Sequence, residues 1–409
     1  MVKFAHNKLN YHKMRKRNSL CNLLLIAGAL MFTACDGDFN DRFANKINGG
    51  NPLTGIPSDN LAGEAPVITE EETTFNMPTS ISPMQADPEN KNIGRFSMAG
   101  INANGEWLEL FGTQEANQNV WLEINGKPKS VKVYNGEGNL LSKAKADVVF
   151  LVDNSGSMDE EANKVAEEII RWSEKLALTM DVQFGCVGID HYEINGALNI
   201  TDANTLFKYL NVYTGTDRTA HYGENMTTPP ADYSVLKQSA KSYTTAGGEC
   251  GGIMLHYADE NFTFRKGANR FYVYFTDEPN QPGNDYRWSV LTLNKQSEYY
   301  NWDASKGVIY TVFSDEYSTP ESWTNWGYRE NPYLFSTYTG GMTLATSSDF
   351  NINLDELPIT GAITQSFVFT FNITPDLVAG NEYDIVITIY YPNGSVASVH
   401  RYENIKFMN

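Results

Sequence analysis

The stretch that decides the fold runs from Asp147 to Asp159 and reads DVVFLVDNSGSMD. Its first part, Val148 to Val152, is a continuous apolar run of mostly β-branched and aromatic residues, which predicts a strand buried on both faces. A turn of short polar residues and glycine follows. We therefore expect Asp153, Ser155 and Ser157 to lie at the carboxyl end of a parallel strand, where open α/β sheets bind ligands.

These three side chains offer only oxygen atoms. One carboxylate and two hydroxyls form half of a site for a hard divalent cation such as Mg²⁺, and a polar turn without metal is the alternative. The D-x-S-G-S turn after an apolar strand resembles the metal-ion-dependent adhesion site of von Willebrand factor type A domains. The resemblance implies that Mg²⁺, or Mn²⁺ or Ca²⁺ in its place, grips an exposed carboxylate of a partner protein.

The order of apolar runs predicts an α/β fold. Residues 146–364 alternate strand and helix patterns, which indicates a mostly parallel, doubly wound sheet with helices on both faces, as the resemblance to type A domains also implies. Residues 91–145 and 365–409 instead hold short alternating runs divided by Asn-Gly turns. Because a two-stranded hairpin is marginal in water, we expect both flanks to form one antiparallel β-sandwich with the central domain inserted in it.

Two further loops match the family's ligand-bearing loops. The glycine-rich stretch from Thr245 to Gly252 carries Glu249, which the resemblance implies is a metal ligand. The usual Pro-Glu pair does not follow it, so the alternative places Thr244 or Thr245 nearer the ion. Asp277 ends a predicted strand and would reach the ion through water, with a helix cap as its alternative role.

The amino terminus predicts export. Residues 1–34 form a basic segment followed by an apolar one, and small residues precede Cys35, which resembles a bacterial lipoprotein signal with Cys35 lipidated. An ordinary secretory signal is the alternative. Acidic residues directly after Cys35 resemble a surface-export signal of Gram-negative outer-membrane lipoproteins. Residues 35–90 predict a flexible linker, parts of which could pack as an edge strand.

The remaining residues give weaker indications. Cys186 and Cys250 predict either one disulfide or two buried thiols. Aromatic residues in a later loop could bind a sugar or a protein, or only pack the loop down. The histidines have no zinc-ligand spacing, and no nucleophile or phosphate-binding motif occurs, so we expect no enzyme. The aromatic candidates are Trp323, Trp326 and Tyr328.

Together these observations predict a surface lipoprotein that binds one divalent cation and uses it in adhesion. A net charge of −18 disfavours nucleic acid as a partner. The alternatives are a structural or tip subunit of a surface fibre, an envelope assembly factor, and an accessory glycan-binding lipoprotein. The expected metal site comprises Asp153, Ser155, Ser157, Glu249 and Asp277.

Overall fold

The computed structural model describes residues 54–68, 80–103, 105–135, 144–158, 161–212, 216–219, 221–314, 328–347, 350–390 and 397–408. The chain divides into two compact units, residues 1–57 and 58–409. Of the first unit only residues 54–57 are described, and they form a turn and irregular chain. The predicted signal segment, Cys35, Trp323 and Trp326 lie outside the described residues.

The described residues of the second unit contain sixteen strands and six α-helices, with short 3₁₀ turns between them. In chain order these are β1 Met84–Ala86, β2 Ile93–Met98, β3 Asn102–Ala103, β4 Glu106–Trp107, β5 Val120–Ile124, β6 Lys127–Lys129, β7 Val131–Tyr134, β8 Lys145–Asp153, α1 Glu161–Ala177, β9 Asp181–Asp190, β10 Glu193–Thr201, α2 Ala203–Leu210, α3 Tyr233–Ala240, α4 Gly251–Asn261, β11 Ala268–Thr276, β12 Val308–Ser314, α5 Tyr333–Thr339, β13 Thr343–Thr346, α6 Ile359–Thr364, β14 Phe367–Asn372, β15 Glu382–Tyr390 and β16 Ala397–Met408.

Strands from both ends of the unit form one eight-stranded sheet in the order β6-β5-β15-β16-β1-β2-β14-β7. All its neighbours are antiparallel except β16 and β1. Strands β6 and β7 lie at opposite ends of this order, yet only Ser130 separates them in the chain. The sheet must therefore fold back on itself, and Phe96 and Phe369 of one half share a single core with Leu122 and Ile387 of the other.

The middle of the unit forms a six-stranded sheet in the order β10-β9-β8-β11-β12-β13. Strand β10 is antiparallel to β9, and the other pairs are parallel. Along β8, Val148 and Phe150 face the core that holds Trp172 of α1, while Val149 and Leu151 face the core that contains α4. Both faces of the sheet are covered, so the predicted α/β class with a mostly parallel sheet is confirmed.

The expected linker is wrong in its last part. Residues 84–86 form β1, which pairs with β2 on one side and β16 on the other, so it is not an edge strand. Ile81 and Met84 are fully buried in the core of the eight-stranded sheet. The segment has few apolar residues among many polar ones, which is typical of a linker, but Ile81 and Met84 anchor it to the core.

Candidate metal site

The candidate site lies where the parallel sheet changes direction. From β8 the chain builds β9 and β10 on one side, then crosses to build β11, β12 and β13 on the other. Strands β8 and β11 are direct neighbours, with Val152 opposite Phe275. The chain leaves both strands at the same edge, and such a switch point opens a crevice between the diverging loops. Asp153 and Asp277 both lie at this crevice.

Hydrogen bonds join the first and third loops into one cluster. The Ser155 amide donates to Asp153 Oδ1 at 3.0 Å, and the Ser155 and Ser157 hydroxyls are 2.9 Å apart. The Ser157 hydroxyl also donates to Asp277 Oδ1 at 3.2 Å. These distances bring together four of the five residues expected from the sequence. Asp277 does not cap a helix, because the next helical turn begins at Tyr286 and has Asp285 as its cap.

Sequence reasoning missed Thr276. Its hydroxyl donates to Asp153 Oδ2 at 2.9 Å, so each carboxylate oxygen of Asp153 accepts a hydrogen bond from the protein. This contact fixes the carboxylate plane and ties the end of β11 to the end of β8. The only signal in the sequence was a hydroxyl residue directly before the strand-ending aspartate.

Asp153 is fully buried and Asp277 is half-buried, and neither pairs with a lysine or arginine in the described part of the chain. Burial, with added repulsion from Asp277 and Glu249, raises the pKa of Asp153 to about 8. Burial also raises the pKa of Asp277 to about 6, although the Ser157 hydroxyl opposes this rise. No lysine or arginine is among the described groups that shift either pKa. A buried carboxylate in such a place needs a proton or a cation.

The spacing of these oxygen atoms fits a small hard cation. An octahedral ion with ligands at about 2.1 Å has neighbouring ligand oxygens about 3.0 Å apart. The two serine hydroxyls are 2.9 Å apart, and the Ser157 hydroxyl and Asp277 Oδ1 are 3.2 Å apart. The oxygen atoms of Ser155, Ser157 and Asp277 are therefore spaced as neighbouring ligands of such an ion would be, and Asp153 adds a carboxylate to the same turn.

A neighbouring buried amide also lacks partners. Asn154 is 3% exposed, and neither its amide nitrogen nor its amide oxygen has a hydrogen-bond partner among the described residues. Its backbone amide donates to Ile189 O at 2.8 Å, which holds the turn against β9. An orphaned buried amide costs stability, and such groups concentrate at sites that complete themselves with water or an ion. Asn154 adds to the polar character of this turn.

The second loop is close to the site but is held by the third loop. The Glu249 charge contributes to the raised pKa of both Asp153 and Asp277. Its carboxylate, however, accepts a hydrogen bond from Gln281 Nε2 at 3.0 Å. Within the described residues, no group of three or more Asp, Glu, His or Cys side chains is close enough to hold one metal ion. Glu249 thus lies beside the cluster without joining it.

The alternative ligands of the second loop are also engaged elsewhere. The Thr245 hydroxyl donates to Gln281 O at 3.0 Å and accepts the Gly247 amide at 3.0 Å. Thr244 forms a bridge with Glu193 at the start of β10. These contacts of the two threonines bind the second loop to its neighbours rather than to the Asp153 cluster.

The predicted disulfide is absent. Cys186 and Cys250 are both free and buried. Cys186 lies in the core that holds Trp172 of α1, whereas Cys250 lies in the core that contains α4, on the other face of the same sheet. The structure therefore has the other alternative, two buried thiols, because the sheet separates them.

Tyr328 and His191 lie on segments that neighbour these loops. Of the aromatic candidates Tyr328 alone is described, and it is 45% exposed. It lies two residues before Glu330, whose backbone pairs with Asn280 of the third loop. On the other side, exposed His191 adopts a left-handed φ of 53° in the turn between β9 and β10, and its Nδ1 lies 2.6 Å from Asp190 Oδ1. The carboxylate of Asp190 raises the pKa of His191.

Comparisons with known proteins do not assign the chain to a family. No protein-family model and no curated protein matches it. Among solved structures, it is similar to human COPII-coat protein Sec24c (6% identity, 68% of this chain and 46% of that chain, TM-score 0.25). It is also similar to PilB minor pilin from Streptococcus sanguinis (10% identity, 72% of this chain and 87% of that chain, TM-score 0.28). A further similar structure comprises three N-terminal domains of the type V pili tip protein Mfa5 from Porphyromonas gingivalis (9% identity, 85% of this chain and 79% of that chain, TM-score 0.23).

These sequence identities and TM-scores are too low to support assignment of a family or a function. The chain spans less than half of the Sec24c chain that it matches. In the described residues no helix is both long and apolar enough to cross a membrane. The case for function therefore rests on the geometry of the Asp153 cluster.

Proposed function

We propose that this protein binds one divalent cation at the end of β8 and β11, and that the cation holds an acidic group of a partner protein. Asp153, Ser155 and Ser157 would contact the ion, and Asp277 would hold it directly or through water. The observation that carries the proposal is the fully buried Asp153 within a cluster of carboxylates and hydroxyls that has no lysine or arginine partner among the described residues.

The bound ion would supply positive charge that neutralises the cluster and attracts an incoming carboxylate. Such oxygen ligands leave room for water or for a group from outside, because Mg²⁺ usually keeps several waters. The protein's own side chains have defined tasks in this proposal. Asp153 and the serine hydroxyls bind the ion, Thr276 orients Asp153, and the Asn154 backbone amide holds the turn against β9.

This arrangement is the basis on which we propose a type A domain inserted in a β-sandwich, and metal-dependent adhesion at the bacterial surface as its task. The lipid anchor at Cys35 and the surface location belong to the same proposal and lie outside the described residues. Cells or matrix proteins that present exposed carboxylates are the expected partners. In a chain with a net charge of −18, a bound cation would offset the local repulsion of an acidic ligand.

A thermal-stability titration tests metal binding. Mg²⁺ or Mn²⁺ should raise the melting temperature of the purified protein, since a ligand that binds only the folded state stabilises it. Asp153→Ala should abolish this rise. Asp376→Asn is the control. Asp376 is an acidic residue that pairs with Lys127 and lies in the loop between β14 and β15 of the eight-stranded sheet. Equal rises in the Asp153 variant and the wild type would refute the proposal.

A second experiment tests adhesion. The protein is applied to an array of matrix and cell-surface proteins with Mg²⁺, with chelator, and with Mg²⁺ plus excess acetate as a competing carboxylate. Metal-dependent capture that acetate reduces is expected. Capture that is unchanged by chelator and by Asp153→Ala would show that the cation has no part in partner binding.

A further inference from the structure

The side chain of Gln281 joins the second and third loops. Its Nε2 donates to Glu249 Oε2 at 3.0 Å, and its backbone amide donates to Glu249 O at 2.9 Å. Its carbonyl oxygen accepts the Thr245 hydroxyl at 3.0 Å. Three hydrogen bonds thus fix Gln281 to the loop that carries Glu249.

The glycines of the second loop make room for this residue. A Cβ on Gly247 would lie 2.2 Å from Gln281 O, and a Cβ on Gly248 would lie 2.9 Å from Gln281 Oε1. Gly248 also has a φ of 138°, which strains any residue with a side chain. Gly283 closes the same contact, since its Cβ would lie 2.5 Å from Gly247 N. The glycine-rich sequence therefore fits close packing against the third loop.

This packing holds Glu249 at a fixed position relative to Asp153 and Asp277. Glu249 is near enough for its charge to raise the pKa of Asp153 and of Asp277. In the described chain the three carboxylates nevertheless do not form a group able to hold one ion. One oxygen of Glu249 is occupied by the Gln281 carboxamide, a hydrogen bond to a charged group that is stronger than a neutral one.

We propose that Gln281 restrains Glu249 outside the coordination sphere of the cation, and that release of this restraint supplies an additional carboxylate and tightens cation binding. The inference rests on the proposed metal site. Gln281 acts through Glu249 and is a positioning residue. The site in the structure then corresponds to a weaker cation-binding state, and a stronger state exists whenever Glu249 changes partner from the carboxamide to the ion.

The test measures Mn²⁺ affinity by electron paramagnetic resonance of free Mn²⁺ for four forms of the protein. These are the wild type, Gln281→Met, Glu249→Gln, and the double variant. Methionine keeps the length of glutamine but cannot donate the hydrogen bond. Gln281→Met should bind Mn²⁺ about tenfold more tightly, the value of one hydrogen bond to a charged group. Glu249→Gln alone should change the Mn²⁺ affinity less than about threefold. In the double variant, Glu249→Gln should abolish the increase in Mn²⁺ affinity that Gln281→Met causes alone.

Gln238→Met, at an exposed position of α3, is the matched control and should behave as the wild type. Melting temperatures measured with chelator confirm that each variant is folded. Unchanged or weaker Mn²⁺ binding in a folded Gln281→Met, or a large loss in Glu249→Gln alone, would overturn this inference while leaving the metal site intact. Absence of Mn²⁺ binding by the wild type would instead refute the metal site, and this inference with it.

Discussion

Replacing Asp153 by asparagine should stabilise the metal-free protein, although it removes the central group of the site. The carboxyl group is fully buried and has a pKa of about 8, against 3.8 in the unfolded chain. A folded-state pKa above the unfolded value gives stability that is complete below pH 3.8 and is lost as the pH rises towards 8. At pH 7 the folded protein must keep a proton that the unfolded chain has already released.

The size of this effect follows from the pKa difference. At pH 7, about three pH units above the unfolded pKa, retention of the proton costs about 4 kcal/mol at 1.36 kcal/mol per unit. Asparagine carries no such cost, but its amide nitrogen replaces one oxygen that accepts from Ser155 or Thr276, which costs about 1–3 kcal/mol. The net gain for Asp153→Asn is therefore about 1–3 kcal/mol in the presence of chelator.

Urea unfolding at pH 4 and pH 7, with chelator or with Mn²⁺, measures this effect. With chelator at pH 7 the variant should be more stable than the wild type. At pH 4 retention of the proton costs less than about 1 kcal/mol, so the lost hydrogen bond should make the variant the less stable protein. With Mn²⁺ at pH 7 the wild type should be the more stable, because only the wild type binds the ion. A variant that is less stable than the wild type in chelator at pH 7, or a difference that does not depend on pH, would refute the reasoning.

Three further predictions concern the rest of the fold. Arg265→Met should lower the free energy of unfolding in urea by about 3–5 kcal/mol, because it leaves the fully buried Asp147 without its guanidinium partner. Arg287→Met removes an exposed guanidinium that pairs with Asp285, and it should lower the free energy of unfolding by less than about 1 kcal/mol. Burial lowers the pKa of His256 to about 4, so the wild type should lose up to about 3 kcal/mol as the pH falls from 6.5 to 4, and His256→Gln should flatten that part of the stability profile. Gly196→Ala should prevent folding, since its Cβ would lie 1.1 Å from Thr219 O, while Gly156→Ala, with no atom within 4 Å, should give soluble protein with an unchanged circular dichroism spectrum.

The sequence could predict the parts of the fold that depend on local pattern. The apolar run at Val148 to Val152 became β8, and the strand-ending Asp277 came to lie beside the Asp153 turn. Parallel strands that both end in polar residues bring those residues to one edge, so their spacing in the chain does not matter. The same logic predicted a sheet covered by helices on both faces.

Features that depend on contacts between distant parts of the chain could not be predicted from the sequence. The sequence places Gly247 and Gly248 beside an expected metal ligand, yet these glycines make room for Gln281, thirty-odd residues later in the chain. The sheet face of Cys186 could not be predicted, because a strand apolar on both faces has no alternation to reveal its orientation, and Cys250 lies in the loop before α4 rather than on a strand. Nor does a segment as polar as 80–90 show by itself that β1 enters an existing sheet.

The most direct test of the central claim is an anomalous difference map from crystals of the protein grown with Mn²⁺. One strong manganese peak is expected at the ends of β8 and β11, within about 2.3 Å of an Asp153 oxygen and of the Ser155 and Ser157 hydroxyls. The absence of that peak at saturating Mn²⁺, or a basic side chain seated between Asp153 and Asp277, would contradict the central claim.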